Sequence, residues 1–100
     1  MGDKYNRKGE PISLNEWMNL FENVDYKVVQ QDELPDGTLI STVWLGLDHS
    51  FGSGPPLIFE TMVFPKGGSS DEMDRYCIED EARKGHAAML EKWKTKAPES

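Results

Sequence analysis

Hydrophobic side chains first recur at helical spacing after residue 12. Leu14, Trp17, Met18 and Phe21 stand at i, i+3, i+4 and i+7, the stripe of an amphipathic helix. Ahead of them, Ser13-Leu14-Asn15-Glu16 is a capping box: the Ser hydroxyl accepts from the backbone three residues on, and the Glu reaches back. Ile12 and Trp17 flank the cap as a hydrophobic staple, and Asn23 supplies a stop. The pattern predicts a helix over 14–22. The mostly polar residues 1–12 read as an arm or a short edge hairpin.

From residue 26 the period changes to two. Strands are predicted over 26–32, 39–47 and 57–64. Pro35-Asp36-Gly37 joins the first two, because Asp-Gly tolerates the positive φ values of a tight hairpin. Residues 48–56 and 65–70 are loops rich in Gly, Pro and Ser. A last helix follows, with Ile78, Ala82, Gly85, Met89 and Trp93 on one side. Glu79, Asp80 and Glu81 open it and Lys92, Lys94 and Lys96 close it, complementing its dipole at both ends. Gly85 in mid-helix costs about 1 kcal/mol relative to Ala, which a close approach to the sheet would explain. Short connections between strands imply an antiparallel meander. The expected fold is α+β, a two-layer α-β-β-β-α sandwich with three strands and both helices on one face.

A two-residue Asp36-Gly37 turn would pair Pro35 with Thr38 and set Val29 opposite Trp44. Pairing Leu47 with Leu57 would set Trp44 opposite Glu60. Tyr26, Val28, Gln30, Val43, Leu45, Leu47, Leu57, Phe59, Thr61 and Val63 then share a core face. Lys27, Val29, Gln31, Thr42, Trp44, Ile58, Glu60 and Met62 share the other. That second face has interface composition, with an aromatic centre, apolar neighbours and two charges to set orientation. It reads as a docking surface for a protein partner or for another copy, through this face or the loop at 48–56. The competing reading is that the arm, with Tyr5 and Ile12, folds over it.

One hundred residues allow one domain, assigned to 13–94 with the arm before it and a tail at 95–100. Eleven basic against eighteen acidic residues give a net charge of −7, which disfavours a protein that coats nucleic acid. No apolar run approaches the roughly 18–20 residues of a membrane span, and MGDKYNRKGEP lacks the apolar core of a signal peptide. A cytoplasmic protein without membrane contact is expected. One cysteine excludes an internal disulfide.

Candidate chemistry is sparse. Asp48 beside His49 could orient an imidazole as a base, yet no nucleophile stands near in sequence. Asp48, His49, Glu60 and His86 could offer metal ligands, but no HxH, HxxxH or CxxC spacing gathers them. Cys77 falls at the expected cap of the last helix, where the following acids oppose a thiolate. Gly52-Ser53-Gly54-Pro55-Pro56 leads into a strand and lacks Lys-Ser/Thr, so it fails as a phosphate loop and no cofactor is expected. The α-β-β-β-α order is also that of double-stranded RNA-binding domains, but Glu79-Asp80-Glu81 would repel the phosphates such a domain meets at this helix. Nucleic acid is therefore a disfavoured partner.

Residues 41–64, STVWLGLDHSFGSGPPLIFETMVF, resemble a signature in small proteins of tailed bacteriophages and prophages. RYCIEDEARKGH at 75–86 looks like their closing helix, and GEPISLNEWMNLF at 9–21 fits their N-terminal part. That pattern carries Ser where this chain has Cys77, which suits a cap position. The resemblance implies an accessory protein made in a host cytoplasm and acting by binding a protein. It carries over no activity and no catalytic residue.

Overall fold

A computed structural model describes residues 4–47, 56–68 and 72–96. The elements are α1 (Leu14–Phe21), α2 (Val24–Lys27), β1 (Val28–Glu33), β2 (Leu39–Trp44), β3 (Phe59–Phe64), β4 (Met73–Tyr76) and α3 (Glu79–Lys96). The strands form one antiparallel sheet in the order β1-β2-β3-β4. The fold is α+β, and the meander has four strands rather than three.

Local signals explain α1. Ser13 Oγ accepts from the Glu16 backbone N–H at 3.2 Å, and Ile12 and Trp17 both pack on the cluster around Trp44. Asn23 follows the end of α1 and also caps the single turn of α2, its Oδ1 accepting from the Tyr26 N–H at 3.3 Å. That turn takes Tyr26 and Lys27, which the alternating pattern had placed in the first strand. The helix α3 starts at Glu79, so Ile78 and not Cys77 precedes its first residue.

The hairpin between β1 and β2 differs from the expected one by a residue. The Leu34 N–H donates to the Thr38 carbonyl at 2.8 Å and the Gly37 N–H to the Leu34 carbonyl at 2.9 Å, enclosing Pro35, Asp36 and Gly37. Gly37 has φ +94°, the left-handed residue of a three-residue hairpin loop. Asp36 Oδ1 accepts from the Thr38 N–H at 2.9 Å and stiffens it. Ile40 therefore opposes Asp32, and Thr42 opposes Gln30. Across β2 and β3, Trp44 opposes Phe59 instead of Glu60. A one-residue slip turns every side chain of a strand to the other face. The strand β3 keeps the expected faces while β2 is turned over. A bulge between Val28 and Gln30 does the same to Val29.

The covered face carries Ile40, Thr42, Trp44, Phe59, Thr61 and Val63, all buried. The helix α3 crosses it with Ala82, His86 and Met89 buried toward the sheet. At the Trp44 end the cover is completed by Trp17 and Phe21 of α1, by Tyr26 of α2, and by Tyr5 and Ile12 of the arm. The Trp44 indole donates from Nε1 to the Tyr5 carbonyl at 2.9 Å.

Gly85 answers to Tyr76 on β4. A Cβ there would lie 2.2–2.4 Å from three atoms at the end of the Tyr76 ring. Gly85→Ala gains about 1 kcal/mol in helix propensity but overpacks this contact, at about 1–3 kcal/mol. A net loss of stability is expected in urea denaturation. A variant as stable as the parent would show that the ring moves aside without cost.

Candidate functional site

The structure divides the residues proposed for docking. Trp44 is fully buried under the helices and the arm, and Ile58 is fully buried in the same cluster with Val29. Lys27 stands over the Phe21 ring, its Nζ 3.9 Å from the centroid. None of these four can form the centre of an open face: the register slip turns Trp44 inward, the bulge turns Val29 inward, Lys27 belongs to α2 and not to a strand, and Ile58, just ahead of β3, is buried in the Trp44 cluster. Glu60 and Met62 do stand on the uncovered side. Asp48 and His49 lie outside the described residues.

The uncovered side is built by alternation along the four strands. Glu60 opposes Val43 on β2 and Arg75 on β4. Met62 opposes Ser41 and Met73, and Phe64 opposes Leu39. Among the described residues, the side chains of α1, α2 and α3 that pack on the sheet gather around Trp44 and Phe59 and around Ile40 and Val63, on the opposite side. Phe64 and Met73 are 47% and 43% exposed. Long neighbours shield the polar members: Gln31 Nε2 donates to Ser41 Oγ at 3.1 Å, and Arg75 Nε donates to Glu60 Oε2 at 3.1 Å. The result is an apolar corner of Leu39, Met62, Phe64 and Met73 beside a closed ion pair.

A second arrangement lies beneath α3. Fully buried His86 holds Asp32 Oδ2 through Nε2 at 2.9 Å and Thr42 Oγ1 through Nδ1 at 2.6 Å. Thr42 Oγ1 in turn meets Thr61 Oγ1 at 2.5 Å. An ionised carboxylate only accepts, so Nε2 carries a proton. With the ring neutral, Nδ1 accepts from Thr42, and Thr42 accepts from Thr61. Gln30 Nε2 donates to Asp32 at 3.0 Å, and this bond first, then His86, holds the Asp32 carboxyl below its usual value. The order carboxylate–imidazole–hydroxyl is that of an activated nucleophile, but both hydroxyl side chains are buried. No described surface brings a substrate to Thr42.

Charge at the head of α3 is tied to the arm. Arg7 donates from Nε and Nη2 to the two carboxylate oxygens of Glu79 at 3.0 and 2.6 Å, and from Nη1 to the Tyr26 carbonyl at 3.0 Å. Arg83 adds a bond to Glu79 at 2.9 Å. The Arg7 fork, helped by Arg83, pulls the Glu79 carboxyl below its usual value despite partial burial. A carboxyl lowered on folding stabilises above its unfolded pKa, and the contribution is lost as pH falls through the folded value. Stability is expected to hold from neutrality to about pH 4.5 and to decline below it. Arg7→Ala should be the less stable protein at pH 7. Its deficit should narrow in acid, where Glu79 is protonated in both proteins. Denaturant midpoints measured from pH 7 to pH 3 check this; a constant deficit would assign the effect to the Tyr26 contacts alone.

Among the described residues, no three His, Cys, Asp or Glu side chains converge to hold a metal ion. No helix of the described residues is long and apolar enough to cross a membrane. No family model matches the chain, and neither the curated proteins nor the solved structures contain a match to it.

Proposed function

We propose that this chain is a non-enzymatic protein-binding module that docks through the uncovered face of its sheet. The observation that carries the reading is the apolar corner at Met62, Phe64 and Met73, on a face that leaves a Phe and a Met more than two-fifths exposed. Aromatic and Met side chains bordered by a closed ion pair are the composition of an interface core and its rim. The burial of Thr42 beneath α3 supports binding over catalysis. The resemblance of residues 41–64 to small phage and prophage proteins supports an accessory role, exercised on a protein.

Site-specific photo-crosslinking tests this. A photoreactive phenylalanine analogue at position 64 or 73, introduced in living cells, is expected to give protein adducts. The same analogue at position 84, on the outer side of α3 where Lys84 is 78% exposed, is the control. Adducts from 84 with none from 64 or 73 would overturn the reading.

A further inference from the structure

We infer that the Asp36-Gly37 step is a covalent modification site gated by the fold: isoaspartate forms there, and only in molecules whose β1–β2 hairpin has opened. The reaction is intramolecular. The Gly37 backbone nitrogen attacks Asp36 Cγ, and a carbon–nitrogen bond closes a succinimide ring. The carboxyl hydroxyl and the amide hydrogen leave together as water. Water then opens the ring at either carbonyl and gives aspartate or isoaspartate, with no oxidant and no cofactor. Of the eight Asp and four Asn residues able to close such a ring, only Asp36 is followed by glycine, which has no Cβ to hinder the approach.

The folded hairpin ties up both reacting groups. Asp36 Oδ1 accepts from the Thr38 N–H at 2.9 Å, and the carboxyl must release that bond to turn onto the Gly37 nitrogen. The same N–H holds the Asp36 carboxyl below its usual value, and a carboxylate expels oxygen far less readily than the neutral acid. The nucleophile is engaged as well. The Gly37 N–H donates to the Leu34 carbonyl at 2.9 Å, yet it must lose its hydrogen to close the ring. The Lys66 side chain lies against the glycine, for a Cβ there would be 2.5 Å from Lys66 Cδ. Leu34 and Thr38 are both buried, and the Leu34 N–H donates to the Thr38 carbonyl at 2.8 Å. Releasing the reacting groups therefore loosens the pair that closes the hairpin. Asp36 itself is exposed, so water reaches the ring once it forms. Isoaspartate carries the main chain through the side-chain methylene and adds a backbone carbon to the loop. The modification thus bears on the β1–β2 register, which turns Trp44 toward the helices.

Peptide mapping of the full chain, with chromatography and electron-transfer fragmentation to separate isoaspartate from aspartate, tests this. The protein is stored at mildly acidic pH, folded in buffer or unfolded in guanidinium chloride. Isoaspartate should appear at position 36 of the unfolded chain. An opened minor state holds roughly 0.1–10% of molecules, so the folded chain should convert at least about tenfold more slowly. Pro35→Gly loosens an exposed position of the loop and keeps the Asp36-Gly37 step. Folded, it should convert about two- to fivefold faster than the parent; unfolded, it should match the parent. Asp36→Glu, whose longer side chain closes the ring poorly, is the control and should give no such product. Equal rates in the folded and unfolded parent overturn the inference, as does a folded Pro35→Gly variant that converts no faster. Absence of isoaspartate at position 36 in the unfolded chain removes the site itself.

Discussion

Trp44→Ala is expected to cost about 3–5 kcal/mol, the range for truncating a buried aromatic side chain. A domain of this size has about 5–15 kcal/mol in total, so much of the protein's stability is at stake. The indole is the centre of one core cluster. Tyr26 meets it edge-on at 5.0 Å between centroids and Phe21 at 6.2 Å. Its Nε1 holds the Tyr5 carbonyl of the arm, so truncation empties the core and releases its cover together. Gly46 shows how tightly the site is closed: at φ +75°, a Cβ there would lie 2.5 Å from Trp44 Cζ2 and from Trp17 Nε1. At about 4–8 °C per kcal/mol, the melting midpoint should fall by at least about 12 °C in a thermal scan followed by circular dichroism. A fall of only a few degrees would mean that α1 and the arm collapse into the vacated space. Loss of binding in this variant would report a weakened fold, so Phe64 and Met73 are the positions at which docking is to be tested.

The contrast between α1 and the sheet shows what a sequence can carry. The boundaries of α1 were legible because Ser13, Glu16 and the Trp17–Phe21 spacing act within two turns of one another. The close approach at Gly85 was legible for a similar reason, as a glycine in a helical stripe needs a neighbour to justify it. Sheet register depends on a different kind of information. Pro35-Asp36-Gly37 suits a loop of two or of three residues, and one residue decides whether Trp44 faces the helices or the solvent. The strand β4 escaped because Met73-Asp74-Arg75-Tyr76 has no apolar alternation. An edge strand held on one side by β3 tolerates that sequence. Leu14 and Met18 stand exposed although they extend the α1 stripe, because Trp17, Leu20 and Phe21 suffice to cover the Trp44 end of the sheet.

His86 was within reach of the same spacing argument, since it stands four residues after Ala82 and three before Met89 on the buried side of α3. What spacing could not supply was its partners, Thr42 and Asp32, which come from two strands whose register had to be right first. His86→Ala is expected to cost about 3 kcal/mol or more, combining a cavity with the loss of a partner for the Thr42 hydroxyl. Asp32→Asn should cost far less, because its side chain is 43% exposed and water can replace the lost bond. His86→Leu keeps the volume but leaves a buried hydroxyl unsatisfied. Joining it to Thr42→Val removes both polar partners, so the double variant should recover part of the loss. A double-mutant cycle of denaturation free energies measures that coupling. Simple additivity would mean that Thr61 alone satisfies Thr42. Recovery in the double variant would identify the chain from Asp32 to Thr61 as a device for fixing α3 on the sheet, which needs no substrate to explain it.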